Sequence, residues 1–250
     1  MLTNLSLVLT LLLHVFSFSY IPSHKHITKR YSIHGIDLSH HQKNVDWERV
    51  ANHGDFKISF CFLKATEGGD FQDTKFQHNW RESKEAGISR GAYHFYNPSK
   101  NAVVQARNFI NNVKLQEGDL APVLDFEKDV NNVSVATVRK NLTKWLQIVE
   151  KHYGIKPIIY SNTFIYNKYI KGHFKDTPLW LADYQSGNIH SLVKSPNLKI
   201  WQYTEKGRVS GVAGNVDINA FVGNQEEFES LKLGYEEADF EIEIESVTKK

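Results

Sequence analysis

Between residues 33 and 221 this chain presents eight short apolar runs, rich in β-branched and aromatic residues and each closing on polar ones. They are IHGIDLS (33 to 39), KISFCFLKAT (57 to 66), RGAYHFYN (90 to 97), APVLDFE (121 to 127), KPIIYSN (156 to 162), PLWLADY (178 to 184), LKIWQYT (198 to 204) and NVDINAF (215 to 221). Their length and composition predict strands. Stretches of helical spacing separate the early runs: one near Val45 to His53, one after Asp73 that stops before Gly87, and one behind Ser99, which follows Pro98 and reads as its N-cap. The clearest covers 134 to 153, with Val135, Val138, Leu142, Trp145, Leu146 and Val149 on one face and Gly154 placed to end it. A short fifth helix follows Asn162. Such alternation specifies parallel strands, because a parallel neighbour is reached only by a crossover. After the sixth run the connections SGNIHSLVKSPN and EKGRVSGVAG contain Gly, Ser and Pro and predict joins without helices. The expected fold is therefore α/β, a modified TIM-type barrel written (β/α)5(β)3, and 250 residues suit one such domain.

In barrels of this kind the reactive groups gather at the carboxyl ends of the strands. Here those ends carry Asp37, Lys64, Tyr93 with His94, Asp125 with Glu127, Tyr160, Trp180 with Asp183, Gln202, and Asp217. Closure also sets the first strand beside the last, so Asp37 and Asp217 become neighbours. The most informative run is LAPVLDFEK, residues 120 to 128. Side chains two apart on a strand share a face, with Cα atoms about 6 to 7 Å apart, so Asp125 and Glu127 enter one space. Two carboxyls in a partly dry space do not readily both ionise, and the one that keeps its proton becomes a donor. Cleavage of a glycosidic bond needs such a donor beside a second, ionised carboxylate. Taken alone, a D-x-E triplet also fits one acid paired with a Lys or Arg and another ending the strand in solvent. Asp37 alone fits a strand-end acid paired with Lys64, and Asp217 a turn former after Gly214 and Asn215.

The single cysteine, Cys61, excludes an internal disulfide and sits in an apolar run as a small buried residue. Twelve histidines show no HExxH or Cys/His ligand spacing, so neither a metal nor a cofactor is expected. His94 reads as a hydrogen-bonded barrel residue, Glu67 as a brace for its loop, and Trp47 and Trp145 as packing. The net charge of +2 divides unevenly: residues 233 to 250 hold six acids against Lys249 and Lys250, leaving +6 on the rest. That excess suits a polyanionic wall but is too small to argue for nucleic acid.

Residues 5 to 18 form an apolar stretch about 21 Å long as a helix, short of the roughly 30 Å of a bilayer core. It suits a secretion signal, with Ser17 and Ser19 offering a cut after Ser19, although no Lys or Arg precedes it. The expected organisation is a signal or membrane anchor over 1 to 19, a linker over 20 to 30, a catalytic domain over 31 to 232 and an acidic tail over 233 to 250. The expected location is secreted or cell envelope, or the membrane if 5 to 18 is retained as an anchor. The tail alternates as DFEIEIES and reads as a solvated end rather than an edge strand.

The motifs GIDLSHHQ, FLKATEGGDFQD, GAYHFY, PVLDFE, PIIYSN, LWLADY, WQYT and VDIN, in this order from about Ile33 to Gly223, resemble the glycoside hydrolase family 25 lysozymes, also called Chalaropsis-type muramidases. The signature around the first two strands is met at Asp37, Gln42, Lys64, Thr66, Glu67, Gly68, Phe71 and Asp73. Lys43 departs from it, standing where the family usually has Gly, Pro or Glu. The resemblance implies a barrel of eight strands and five helices. It implies hydrolysis of the β-1,4 bond between N-acetylmuramic acid and N-acetylglucosamine in peptidoglycan glycan strands by a monomer. It also implies Glu127 as general acid, Asp125 as its partner, and Asp37 and Asp217 as flanking carboxylates. Tyr93, Tyr160 and Trp180 would border the sugar, with Gln202, Asp183 and Lys64 as polar contacts. The short D-x-E spacing suggests that ionised Asp125 orients the substrate's own 2-acetamido group for attack on C1, with retention; an inverting route through water activated by Asp37 or Asp217 stays open.

Two rivals remain. A chitinase-like barrel with DxxDxDxE would need Asp at 123 and 120, where this chain has Val123 and Leu120. A glycan-binding protein without catalysis would keep the groove and have no use for four carboxylates.

Overall fold

The computed structural model describes residues 25 to 236. The apolar stretch 5 to 18 and residues 237 to 250 of the acidic tail lie outside the described residues. Within the stretch read as a linker, Lys25–Arg30 forms helix α1, and Ile27 and Tyr31 are buried in the core.

The strands are β1 (His34–Leu38), β2 (Ile58–Glu67), β3 (Phe71–Gln72), β4 (Ser89–Phe95), β5 (Val123–Asp125), β6 (Ile158–Asn162), β7 (Leu179–Ala182), β8 (Leu198–Gly207) and β9 (Val216–Phe221). The sheet runs β1-β9-β8-β7-β6-β5-β4-β2-β3 and closes through a β1–β2 pairing. Eight strands thus form the barrel, while β3 is a two-residue arm folded back on the end of β2. Pairings from β1 through β2 and β4 round to β8 are parallel; β9 is antiparallel to both β8 and β1.

The expected helices are α2 (Trp47–Ala51), α3 (Phe76–Glu85), α4 (Ala102–Asn112), α5 (Val135–Tyr153) and the short α6 (Thr163–Ile165), which runs on into a π turn over Tyr166–Ile170. Beyond these five, the described residues contain α1, a single turn α7 (Ile189–Leu192) between β7 and β8, and α8 (Gln225–Glu229). The β7–β8 connection is therefore not bare: Asn188 caps a turn that buries Ile189. Helix α4 starts later than Ser99 implies, because the Asn101 side chain accepts from the backbone N–H of both Val103 and Val104 and ends a preceding turn. Helix α5 begins and ends as its sequence dictates, with Ser134 Oγ accepting from Thr137 N at 3.1 Å and Gly154 left-handed at φ 74°.

Alternation along the strands sorts side chains into two cores. Outward residues such as Ile36, Leu63, Leu124 and Leu181 pack under the helices together with Trp145 and Phe109. Inward residues Phe60, Phe62, Val123, Ile158, Trp180, Ile200 and Phe221 fill the barrel. Two rings from one strand leave little room opposite: a Cβ on Gly35 would strike the Phe60 ring, and one on Gly91 the Phe62 ring. Below them Phe228 of α8 closes the floor, 5.5 Å from Phe60 and 5.3 Å from Phe221 between ring centroids. The barrel is thus plugged at one end, and polar side chains occupy the other.

Candidate active site

The inward parity that buries Phe60 and Phe62 on β2 continues to Lys64, and that of Val123 on β5 continues to Asp125. Beyond Asp125 the strand departs from regular pairing, yet Phe126 N still donates to Tyr160 O and Ser161 Oγ to Phe126 O. Phe126 is consequently buried on the outer side, while Asp125 and Glu127 both face the mouth. Tyr93, Tyr160, Trp180 and Gln202 arrive by the same alternation on β4, β6, β7 and β8. Asp217 arrives differently. It lies near the amino end of β9, not a carboxyl end, and reaches the mouth because β9 runs antiparallel; in register it stands directly opposite Asp37.

Nine of the ten predicted site residues therefore line one open cavity of about 470 Å³: Asp37, Lys64, Tyr93, Asp125, Glu127, Tyr160, Trp180, Gln202 and Asp217. Asp183 does not. It lines an adjoining hollow that shares Glu127, Tyr160 and Tyr184, and its Oδ2 accepts from Ser186 N at 3.0 Å, bracing the loop. Trp180 is 2% exposed and so lies in the cavity floor, while Tyr184, 40% exposed, is the most exposed aromatic of the lining. Sequence reasoning missed Tyr184 and Glu205, which join the two hollows, and Lys128, Phe95 and His41 on the opposite wall. Tyr184 closes the run PLWLADY and Glu205 follows the run LKIWQYT, so position at the carboxyl end of an apolar run was the available signal. Lys64 pairs not with Asp37 but with Glu67, Nζ to Oε2 at 2.7 Å, and lies 4.6 Å from the centroid of the Phe95 ring. Glu67 thereby braces its loop as expected.

The four central carboxyls all hold protons to higher pH than free acids. Burial pushes Asp125 well above the ordinary value, and the neighbouring charges of Glu127 and Asp37 add to it while Lys64 opposes. Glu127 is raised by burial and by Asp37, against Lys128 and Lys64. Asp125, expected as the anion, is thus raised together with Glu127. The physical reason is that Asp125 is 7% exposed and its Oδ1 has no hydrogen-bond partner. Asp37 is raised by burial, which outweighs the lowering effect of donors from Asn219, Gln202 and Asp217. Asp217 is pushed up to about 9, first by burial and then by the charge and hydrogen bond of Asp37. His94 lies outside the cavity: its Nδ1 meets Thr66 Oγ1 at 2.7 Å, its ring stacks on Trp145, and burial lowers it to about 4. It stays neutral in the barrel wall.

Comparison with known proteins agrees with this architecture. The sequence profile of Glycosyl hydrolases family 25 matches residues 36–212. The chain belongs to this family. Among its relatives, the uncharacterized protein YegX of Escherichia coli O157:H7 is 40% identical over 214 residues, covering 85% of this chain and 78% of that protein. Lysozyme M1 of Streptomyces globisporus is 32% identical over 206 residues, covering 77% and 68%. A family 25 glycosyl hydrolase from Bacillus anthracis superposes with a TM-score of 0.74 at 34% identity, over 81% of this chain and 94% of that one. The muramidase of Trichobolus zukalii gives 0.70 at 26% identity, over 81% and 100%. The family 25 barrel thus spans nearly all of the described residues.

Proposed function

We propose that this family 25 domain is an N-acetylmuramidase that hydrolyses the β-1,4 bond between N-acetylmuramic acid and N-acetylglucosamine in peptidoglycan. The observation that carries the reading is the pair Asp125 and Glu127, two carboxyls held on one face in a half-dry cavity where both cannot ionise together. The pair keeps a proton to higher pH than free carboxyls do, as a glycosidic acid must. The names of Lysozyme M1 and of the Trichobolus zukalii muramidase point to the same polymer.

In this mechanism the substrate decides which carboxyl is charged. The 2-acetamido N–H donates to the carboxylate of Asp125, which lines the cavity, and so stabilises the aspartate anion and leaves the shared proton on Glu127. Glu127 passes that proton to the glycosidic oxygen as the bond to C1 breaks. The acetamido carbonyl oxygen attacks C1 from the other side, and the positive charge of the resulting ring is held by Asp125. Glu127, now a carboxylate, takes a proton from water as the water oxygen attacks C1, and the acetamido oxygen leaves. Two inversions give retention. The flanking acids fit a base for the inverting route poorly: Asp217 keeps its proton up to about 9, and Asp37 Oδ2 already accepts from two amides.

Digestion of defined peptidoglycan tests the proposal: the new reducing end is expected to be N-acetylmuramic acid by mass spectrometry, with the β anomer formed first by proton NMR. Glu127→Gln is expected to lose about 10²- to 10⁴-fold in rate with its circular dichroism unchanged. Activity near wild type in that variant ends the assignment. Cleavage of chitin alone would favour the chitinase-like reading, and binding without new reducing ends the non-catalytic one. A wall substrate goes with the expected secreted or envelope location, or with the membrane if 5 to 18 is retained as an anchor, and cell fractionation checks it.

A further inference from the structure

Two buried amides next to Asp37 have their orientation dictated by their neighbours. Trp180 Nε1, which can only donate, lies 2.8 Å from Asn219 Oδ1, so the Asn219 NH2 points the other way and donates to Asp37 Oδ2 at 2.8 Å. Gln202 Oε1 accepts from Tyr160 OH at 2.8 Å and from Tyr184 OH at 2.6 Å, and its NH2 donates to the same Asp37 oxygen at 2.9 Å. Asn219 is 0% exposed and Gln202 2%. Flipping Asn219 would set its NH2 against the Trp180 N–H and its oxygen against the carboxylate, and flipping Gln202 would turn its oxygen towards the same carboxylate.

We propose that Asn219 and Gln202 are positioning residues that hold Asp37 as the charged member of the Asp37–Asp217 pair, so that its negative field keeps the proton on Glu127. The link to Glu127 rests on the muramidase reading above; the clamp on Asp37 does not. Hydrogen bonds from two amides favour the anion, and Asp217, opposite in register, supplies its own proton to the same group. The charge so fixed is among the causes that raise Glu127, Asp125 and Tyr93.

Other charges reach the same space. From β2 come Lys64 and Glu67, already paired with each other. Lys128 follows Glu127 and lowers it. Glu205, at the far end of the groove on β8, adds to the raising of Asp217. Tyr93, Tyr160 and Tyr184 face the pair from the remaining walls, and all three are raised, so they stay neutral donors. Lys64 and Lys128 oppose Asp37 at Glu127; the clamp sets how much of the opposing field survives.

The test is NMR on the full chain with carboxyl-labelled Asp and amide-labelled Asn and Gln, read beside the pH profile of kcat/KM. In the wild type the side-chain NH2 signals of Asn219 and Gln202 are expected to follow one titration in common with the Asp37 carboxyl carbon. In Asn219→Leu, which removes the donor at similar volume, the Asp37 titration is expected to move up by about one pH unit, the size of one lost hydrogen bond to a charged group. The alkaline limb of kcat/KM moves to lower pH with it, because a neutral Asp37 no longer holds the proton on Glu127. A merely structural lesion lowers kcat and leaves that limb in place. An unshifted Asp37 titration in folded Asn219→Leu overturns the proposal. If that variant fails to fold, wild-type amide signals indifferent to Asp37 overturn it and a shared titration supports it. If the wild-type chain releases no muramic acid ends, the muramidase reading falls while the NMR still judges the clamp.

Discussion

Asp217 shows how one residue's chemistry depends on strand direction. On a parallel strand the second residue would lie at the plugged end of the barrel; on β9 it faces Asp37 in the mouth. There it keeps its proton up to about 9, whereas an unfolded Asp releases it near 3.9. Between those values the native state binds more protons than the unfolded state, so stability is fullest below the unfolded value and falls as pH rises towards about 9. Asp37, Asp125 and Glu127, also raised, act in the same direction. Asp217→Asn keeps a donor to Asp37 and removes the titration, so its stability is expected to fall less steeply with pH and to exceed wild type on the alkaline side. Urea midpoints measured across pH decide it; parallel curves for the two proteins would refute the protonated pair. The pairing of Asp125 with Glu127 was legible from a period of two, because that rule is local. The partner of Lys64 was not, because Glu67 is three places along β2, on the other face by strict alternation, and a register shift between Lys64 and Thr66 breaks that alternation.

At the scale of elements, the turn after β1 carries a cost that the sequence hints at. Ser39 N donates to Gln42 Oε1 at 3.0 Å and Ser39 Oγ accepts from His41 N, which fixes a single 3₁₀ turn, His40–Gln42, at the rim. The next residue, Lys43, takes φ 59° and ψ −129°, a conformation that favours glycine. The departure from the family at this position is therefore a backbone matter, remote from the carboxyls. Lys43→Gly is expected to stabilise the protein by about 1 kcal/mol, since the strain exceeds the extra chain entropy of glycine. Equilibrium unfolding checks it, and a destabilised variant would mean that the Lys43 side chain contributes more than its backbone costs. Helix α4 teaches a related lesson. Ser99 and Asn101 are both good caps in sequence, and only the turn at Asn97, whose Oδ1 accepts from Ser99 N, decides between them.

For the whole molecule, the barrel works because one end is filled and the other is not. Phe228 closes the floor against Phe60 and Phe221, and Ala121 N donates to Leu231 O to tie the closing segment to the base of β5. Phe228→Ala is expected to cost roughly 3–5 kcal/mol and to lower Tm on the order of 10 °C. The carboxyls lie at the opposite end, so kcat per folded molecule is expected to stay unchanged. Calorimetry with a parallel turnover assay checks both halves. A lost kcat with unchanged Tm would mean that the floor governs the site rather than the fold.

The eight barrel strands, the five expected helices between them and the facing of Asp125 and Glu127 into one space were determined by the sequence itself, because hydrophobic periodicity and side-chain alternation are properties of neighbours along the chain. The family could be read from motif order for the same reason. Tertiary structure alone decided that β9 runs backwards, that Asp183 braces a loop outside the main cavity, that Tyr184 is the most exposed aromatic of the lining, and that Asn219 and Gln202 converge on Asp37. The last of these depends on groups brought together by barrel closure, Asn219 and Asp37 across 182 residues of chain. Hydrogen bonds, burial and charge act through space, and no local rule contains that distance.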